Sequence, residues 1–325
     1  MTAARCDQLL RFAPIFRRYL WGGRRLGTLL HKPIGDGDDY AESWEIVDHG
    51  AYQSIVRAGP LAGATLGELM QQHGAALMGR HAPQGRFPLL LKLLDCNRVL
   101  SVQVHPNDAQ AARLDPPDLG KTEAWVVLAA DAGSTIYAGF REGVTKAAFT
   151  AAIAEGRVEE CLHQFHPRVG DCVFIPAGTV HALGAGLVIA EIQQASDTTF
   201  RLFDFNRVDA EGNPRALHVA ESLAVIDYER GPVAPQNPQP LAADRERLVE
   251  CDKFVLDRWT LDQARIIGGD DRFHVLAVLE GAIEVAGDPA GTPLAMGDAG
   301  LLPAAAGRTT VTPHGRAVML DIMMP

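Results

Sequence analysis

The sequence predicts a mainly β protein with helical insertions, in which two jelly-roll units follow each other and the second is degenerate and metal-free. Short apolar or alternating segments recur between residues 89 and 203, separated by Gly, Pro, Asn and Asp, as is typical of sandwiches and jelly rolls. A Gly-Asp turn, an apolar segment and a closing Pro occur at residues 170–176 and again at 297–303. Only the first copy leads on directly to a histidine, His181, so we expect metal chemistry in the first unit alone.

Seven segments of the first unit are predicted strands. They lie at residues 89–94, 100–104, 124–128, 135–138, 171–175, 187–193 and 199–203. The first of them is apolar throughout except for Lys92, and such a run favours a strand that is buried on both faces.

Two helices are predicted around these strands. After the break at Gly59-Pro60, Thr65 and Glu68 have the spacing of a capping box before an amphipathic segment. A second helix is predicted over residues 145–162, which are rich in Ala, Glu and Lys. If this helix is an insertion on a β scaffold, it need not disturb a site formed by residues that precede and follow it in the chain.

The domain organisation is predicted from composition. Residues 231–240 contain a Gly and several prolines, which is typical of a linker. We therefore predict a catalytic unit with helical segments over residues 1–230 and a smaller C-terminal jelly roll over residues 241–325.

Composition restricts the class of protein. The chain has 325 residues and a formal net charge of −10, which argues against a nucleic-acid or anionic-membrane partner because either would favour a basic face. Five cysteines are dispersed without a CxxC pair, as expected of reduced thiols. No signal peptide or membrane-spanning apolar run is evident, so we expect a cytoplasmic protein. The sequence makes no prediction of the oligomeric state.

Four polar residues, distant in the chain, form a candidate metal site: Gln103, His105, Glu123 and His181. Gln103 and His105 are two apart in a predicted strand, so their side chains enter from the same face. We expect Glu123 and His181 on neighbouring strands. Two imidazoles, a carboxylate and a carboxamide can hold a divalent metal with a coordination position left open, as catalytic sites require. Ligands without thiolate suit zinc, manganese, iron or nickel, and zinc is the leading prediction.

Residues 191–207 are dense in polar groups although apolar segments flank them. Such groups cost free energy inside a β core unless they are paired or contact a ligand. Arg201 is a candidate for binding phosphate or stabilising an oxyanion, and Glu191 and Lys121 are candidate proton carriers. The alternative interpretation is a surface hairpin in which Arg201 pairs with Asp197 or Asp204.

Several of these stretches together resemble a known family. They read Glu-Ser-Trp-Glu at 42–45, Leu-Leu-Lys-Leu-Leu at 90–94, Ser-Val-Gln-Val-His-Pro-Asn-Asp at 101–108, Gly-Lys-Thr-Glu-Ala-Trp at 120–125 and Pro-Ala-Gly-Thr-Val-His-Ala-Leu-Gly at 176–184, followed by residues 193–207. In this order they resemble the type I phosphomannose isomerases, zinc-dependent mannose-6-phosphate isomerases of the cupin superfamily, in their short bacterial form. The resemblance is specific from about residue 12 to about residue 228. The C-terminal part matches only in its general residue pattern, without specific motifs.

The resemblance implies a fold and a set of roles. It implies two cupin-like jelly rolls and one Zn²⁺ per chain, held by Gln103, His105, Glu123 and His181. It implies an active-site arginine at Arg201, a lysine at Lys121 and an acidic residue near the substrate at Glu191. For the phosphate, Lys121, Ser196 and Arg201 are the candidates.

The implied reaction interconverts mannose 6-phosphate and fructose 6-phosphate through an enediol, with a small-molecule sugar phosphate as the only partner. One alternative is another cupin metalloenzyme, such as an oxygenase or a different sugar isomerase. A second alternative is a sugar-phosphate-binding cupin without turnover, although a binding protein would not need the proton-transfer groups Lys121 and Glu191.

Overall fold

A computed structural model describes residues 5–208 and 212–325. Its β-strands are, in chain order, β1 Phe12–Ala13, β2 Ile15–Gly23, β3 Tyr40–Ile46, β4 Asp48–His49, β5 Tyr52–Gln53, β6 Ile55–Val56, β7 Leu89–Cys96, β8 Val102–Val104, β9 Glu123–Ala130, β10 Ile136–Phe140, β11 Leu162–Phe165, β12 Cys172–Ile175, β13 His181–Leu183, β14 Leu187–Gln194, β15 Phe200–Phe203, β16 Gln239–Ala242, β17 Arg245–Glu250, β18 Val255–Leu261, β19 Arg265–Ile267, β20 His274–Glu280, β21 Ala282–Val285, β22 Leu294–Ala295, β23 Ala299–Leu302, β24 Thr309–Pro313 and β25 Ala317–Met323. The mainly β prediction is confirmed, and a strand lies at each of the seven predicted segments.

The helices are short. They are α1 Arg25–Thr28, α2 Leu66–Met78, α3 Asp108–Ala111, α4 Lys146–Ala154 and α5 Val219–Val225, with 3-10 turns at Gly79–His81, Val158–Cys161 and Ala304–Ala306. The capping box at the start of α2 is confirmed, since Thr65 and Glu68 bond reciprocally. The helix predicted over residues 145–162 is shorter than expected: it ends near Gly156, whose positive φ of 67° breaks the helical path.

Two facing sheets form the first unit. The six-stranded sheet has the order β12-β9-β14-β7-β3-β2, and the five-stranded sheet has the order β11-β10-β13-β8-β15. Side chains of both sheets, among them Trp125, Val127, Ile136 and Leu183, form one core between them. The sheets therefore make a sandwich, and its interior is where the functional side chains meet.

A second pair of sheets forms the C-terminal unit. Its orders are β16-β17-β18-β25-β20-β23 and β19-β24-β21-β22. The repeated Gly-Asp motif precedes equivalent strands, with Gly170 before β12 and Gly297 before β23 at φ values of 89° and 87°. The internal repeat predicted from sequence is thus a structural repeat.

The two six-stranded sheets share a core. One face of β7, β9 and β14 packs into the sandwich, and the other face packs with residues of β17, β18, β20 and β25. Because these strands are covered on both sides, they read as continuous apolar runs rather than as alternating ones. The buried strand predicted at residues 89–94 is confirmed, since every residue of β7 is buried.

The N-terminal segment packs on the C-terminal unit. Leu9 belongs to the core between the second pair of sheets. Leu10 exchanges backbone hydrogen bonds with Leu301 at 2.8 and 2.9 Å, and the buried Arg11 pairs with Asp288. The predicted division into residues 1–230 and 241–325 placed residues 9–11 in the first unit. Because these residues pack on the second unit, we propose that they belong to it. Strand β16 also begins within the predicted linker, at Gln239.

A buried histidine makes the stability of the C-terminal unit depend on pH. The ring of His274 lies between Asp321, at 2.7 Å, and Asp270, at 3.0 Å. Burial lowers the pKa of His274, but these two carboxylates outweigh it and raise the pKa from 6.5 to about 9. A raised pKa stabilises the fold fully below pH 6.5 and ceases to do so as the pH rises through about 9.

We therefore expect the free energy of unfolding to fall by about 1–3 kcal/mol between neutral pH and pH values above the folded pKa. In His274→Gln this part of the pH dependence should be absent, and the variant should be less stable than the wild type at the pH values where His274 is protonated. Urea unfolding across that pH range measures both slopes, and equal slopes in the two proteins would refute the assignment.

Candidate metal centre and catalytic cavity

Both sheets of the first unit contribute to the candidate metal site. Gln103 lies in β8, His105 follows that strand, and His181 opens β13, where it pairs in register with Gln103. Glu123 opens β9 of the facing sheet. The expectation of neighbouring strands holds for His181, since β13 pairs with β8. It was wrong for Glu123, because closure of the sandwich brings that residue in from the facing sheet.

The four side chains converge. The Nε2 atom of His105 lies 3.5 Å from a Glu123 carboxylate oxygen, and the Nε2 atom of His181 lies 3.3 Å from the other oxygen. The carboxamide nitrogen of Gln103 lies 3.3 Å from the Nε2 atom of His181. One ligand atom from each of His105, Glu123 and His181 falls within 4.8 Å of the others, so the cluster can hold a metal ion.

The donor set fits a cation. The Nδ1 atom of His105 bonds the Thr198 carbonyl at 3.0 Å, and that of His181 bonds the Thr179 carbonyl at 2.9 Å. Since a carbonyl only accepts, each Nδ1 carries the proton and each Nε2 offers a lone pair to the cluster. The Nε2 atom of His105 and both oxygens of Glu123 are buried and make no well-formed hydrogen bond among the described residues, although the Lys121 ammonium forms an ion pair with one Glu123 oxygen at 3.2 Å. Buried acceptors of this kind cost free energy unless a cation satisfies them.

Burial sets the charge states in this cluster. It lowers the pKa of His181 to about 4 and that of His105 well below its usual value, where the Lys121 charge adds to the effect. Both imidazoles are therefore neutral at pH 7, the state in which they ligate metals. Burial raises the pKa of Glu123, although Lys121 opposes the shift. A metal ion would add to the positive charge that Lys121 places beside this desolvated carboxylate.

A cavity of about 250 Å³ opens beside the cluster between the two sheets. Charged side chains dominate its wall, namely Glu42, Lys92, Lys121, Glu191, Asp197, Arg201 and Arg215. Three of them, Lys121, Glu191 and Arg201, are the residues predicted to carry proton-transfer and charge-stabilising roles. The structure thus brings all three into one cavity together with Gln103.

Lys121 and Glu191 are buried in the cavity wall. The Lys121 ammonium lies 3.2 Å from a Glu123 oxygen. Glu191, in the central strand β14, accepts a hydrogen bond from the Trp125 indole at 3.0 Å and lies 3.5 Å from Lys92. Burial alone would raise the pKa of Glu191, but Lys121 and Lys92 outweigh it and lower the pKa.

Comparison with known proteins agrees with this geometry. The protein-family model described as phosphomannose isomerase type I, catalytic domain, matches residues 9–125 of this chain. The mannose-6-phosphate isomerase ManA of Bacillus subtilis is 36% identical over 302 residues, which are 90% of this chain and 92% of that protein. The chain belongs to the type I phosphomannose isomerase family. The mannose-6-phosphate isomerase of Streptococcus mutans is 35% identical over 267 residues, which are 81% of this chain and 82% of that protein.

Solved structures support the same family and fold. The crystal structure of the mannose 6-phosphate isomerase from Bacillus subtilis superposes with a TM-score of 0.88 at 29% identity, covering 97% of this chain and 99% of that chain. The cupin-type fold implied by the resemblance is therefore confirmed. Within residues 5–208 and 212–325, no helix is long and apolar enough to span a membrane.

Arg201 occupies the cavity rather than a surface hairpin. It pairs in register with Gln103 across β15 and β8, which places its side chain near the candidate metal ligands. One guanidinium nitrogen donates to the Ala216 carbonyl at 2.9 Å, and the buried Nε atom has no partner among the described residues. Asp204, one of the acidic partners considered for Arg201, instead pairs with Arg207 and Arg215.

Ser196 does not fit the phosphate contact predicted for it. Its side chain is fully buried, and its hydroxyl donates to Asp118 at 2.8 Å. It is also absent from the cavity wall. Of this polar segment, Glu191, Asp197, Thr199 and Arg201 line the cavity, whereas Ser196 bonds Asp118 away from it.

Two charged cavity residues of this family member, Lys92 and Arg215, were not identified from the sequence. Lys92 is buried and lies 3.5 Å from Glu191 and 3.8 Å from Glu42. The sequence did contain a signal for Lys92, namely a lysine in an otherwise apolar strand. Because a charge is almost never buried without a partner, such a lysine indicates a buried acidic group nearby. Arg215 had no signal, because it lies in an irregular segment that only the fold brings to the cavity.

Proposed function

We propose that this chain is a metal-dependent isomerase that interconverts mannose 6-phosphate and fructose 6-phosphate through an enediol. The observation that carries the proposal is the buried His105–Glu123–His181 cluster, which adjoins a cavity lined by Lys121, Glu191 and Arg201. The 36% identity to a mannose-6-phosphate isomerase over 90% of the chain supports the choice of substrate.

We propose one Zn²⁺ per chain as the metal, held by Gln103, His105, Glu123 and His181. Imidazole and oxygen donors without thiolate support this choice. When bound, the ion supplies Lewis-acid stabilisation to the oxygen on which negative charge develops during isomerisation. The neutral imidazoles and the Glu123 carboxylate are the groups of this chain that orient it.

Proton transfer between C1 and C2 of the sugar requires a group that can accept and return a proton at neutral pH. Lys121 and Glu191 both face the cavity. Because burial is outweighed by Lys121 and Lys92, the pKa of Glu191 is lowered, and a carboxylate with a lowered pKa is a weak base. We therefore propose that Glu191 mainly holds Lys92 in place, and that Lys121 accepts the proton in its neutral amine form, since an ammonium has no lone pair.

The phosphate is proposed to bind near Arg201 and Arg215. Arg207 and Arg215 pair with Asp204, and the Arg201 guanidinium lies near enough to interact electrostatically with all three, so three positive charges face one carboxylate. Arg201 and Arg215 also line the cavity. A guanidinium fork matches the geometry of phosphate oxygens, which supports this assignment.

We also propose that the enzyme acts in the cytoplasm. All five cysteines are free thiols in the structure, and burial raises the pKa of both Cys6 and Cys172 to about 12. Unpaired, unreactive thiols suit a reducing compartment.

The test is incubation of the purified protein with mannose 6-phosphate and coupled detection of fructose 6-phosphate, with metal content measured on the same sample. We expect turnover that is lost on chelation and restored by Zn²⁺. Activity that survives complete metal removal would reject the metal-dependent mechanism. Tight sugar-phosphate binding without any turnover would favour a binding protein instead.

A further inference from the structure

Asp118 lies just before β9, and its carboxylate accepts hydrogen bonds from several segments of the chain. Its side chain is 11% exposed. One carboxylate oxygen accepts from Arg86 and from the Leu119 amide, at 2.9 and 2.8 Å. The other accepts from the hydroxyls of Ser196 and Thr198, at 2.8 and 2.9 Å. The carboxylate therefore ties the segment that leads to Lys121 to the segment that leads to Arg201.

The second of these segments contacts the candidate metal site. The carbonyl of Thr198 accepts the Nδ1–H of His105 at 3.0 Å. Residues 195–199 lie between β14 and β15 and belong to neither strand, so no sheet pairing fixes this carbonyl. Side-chain bonds fix it instead: the two hydroxyl bonds to Asp118, and a bond from the Gln193 carboxamide to the Ser196 carbonyl at 2.5 Å.

Asp118 is suited to this role because it is firmly ionised. Burial raises the pKa of its carboxyl, but hydrogen bonds from His49, Ser196, Leu119 and Thr198 outweigh burial and lower the pKa. The Arg86 guanidinium at 2.9 Å adds a charge-assisted bond. A carboxylate with donors on both oxygens has little rotational freedom. It therefore also restricts the motion of the groups that donate to it.

We propose that Asp118 is a positioning residue for the metal centre: it holds Thr198 so that the Thr198 carbonyl fixes the tautomer and orientation of His105. The inference rests on the metal site of the proposed function. Outer partners of ligating histidines typically contribute about 10–100-fold to metal affinity. Because Asp118 acts through Thr198, we expect a loss near the lower limit of that range.

The test compares Asp118→Asn with Asp257→Asn. In the carboxamide one charged oxygen becomes an NH₂ group, so one side of Asp118 loses its charged acceptor, and the two hydroxyls can at best accept weaker neutral bonds. Asp257 is a matched control, because it is also a buried carboxylate paired with two arginines, Arg245 and Arg247, but lies in the C-terminal unit. Zn²⁺ affinity of the metal-free proteins is measured by competition with a chromophoric chelator.

We expect Asp118→Asn to weaken Zn²⁺ binding about tenfold and Asp257→Asn to leave it unchanged while lowering thermal stability. In the metal-free Asp118→Asn protein, the Nδ1–H of His105 should also exchange faster with solvent by NMR. Unchanged affinity together with unchanged exchange would overturn the proposal.

A second variant covers the case in which Asp118→Asn fails to fold. The double substitution Ser196→Ala with Thr198→Val removes the same two hydroxyl bonds while keeping the Asp118 pairs with Arg86 and His49. It should weaken Zn²⁺ binding similarly, and wild-type affinity would refute the proposal. A protein that binds Zn²⁺ normally but does not isomerise mannose 6-phosphate would reject the proposed function and leave this inference intact.

Discussion

Glu123→Gln is expected to lower kcat for mannose 6-phosphate isomerisation by more than about a thousandfold, or on the order of 4 kcal/mol of transition-state stabilisation. Glu123 is the one carboxylate in the cluster with His105 and His181, and its buried oxygens have only the Lys121 ammonium, at 3.2 Å from one of them, to offset their charge. Glutamine has nearly the same shape but no charge to offset a cation. The variant should also lose most of its bound metal, which elemental analysis of the assayed sample measures.

A matched control separates loss of the site from general damage. Glu280 is an exposed glutamate of the C-terminal unit that pairs with Arg316, so Glu280→Gln should keep both metal and activity. Full metal occupancy with normal turnover in Glu123→Gln would remove Glu123 from the metal site.

Arg201→Ala is expected to lower kcat by about 100- to 1000-fold, in the range observed when one stabilising donor is removed from an active site. Burial, together with the nearby Arg215, lowers the pKa of Arg201, but arginine stays charged at neutral pH. Its half-buried guanidinium lines the cavity and can thus act on developing negative charge there. Steady-state kinetics with mannose 6-phosphate measures the effect.

The metal content of Arg201→Ala should equal that of the wild type, because Arg201 is not among the proposed ligands. Arg316→Ala, which removes an exposed arginine of the C-terminal unit, should leave kcat and KM unchanged. A rise in KM with an unchanged kcat in Arg201→Ala would assign Arg201 to phosphate binding alone.

Short-range patterns predicted much of the fold. The strands of the first unit follow from apolar segments separated by turn residues, and β7 was identified as buried because it is apolar almost throughout. The capping box of α2 lies within four residues of sequence and formed as expected. The repeated Gly-Asp turn also predicted equivalent strands in the two units.

Features that depend on long-range packing were not predictable in the same way. Sequence spacing placed Gln103 and His105 on one face, but only the closed sandwich shows that Glu123 comes from the opposite sheet. The attachment of Leu9 to the C-terminal core joins residues at opposite ends of the chain. Nothing local distinguishes such a contact from a surface segment.

The candidate site shows the same division. The candidate metal ligands and the charged residues Lys121, Glu191 and Arg201 occur in motifs specific enough to identify from the sequence. These motifs do not give the direction in which each side chain points. Ser196 lies within such a motif yet bonds Asp118 away from the cavity. Lys92, the one charged residue of the predicted strand at 89–94, faces the cavity and pairs with Glu191.

The central claim is that Gln103, His105, Glu123 and His181 share one metal ion. Anomalous diffraction from crystals of the zinc-loaded protein, collected on both sides of the zinc absorption edge, tests it most directly. We expect a single strong anomalous peak per chain, enclosed by these four side chains. Zinc bound elsewhere in the chain, with these side chains hydrogen-bonded only to protein and water, would contradict the claim.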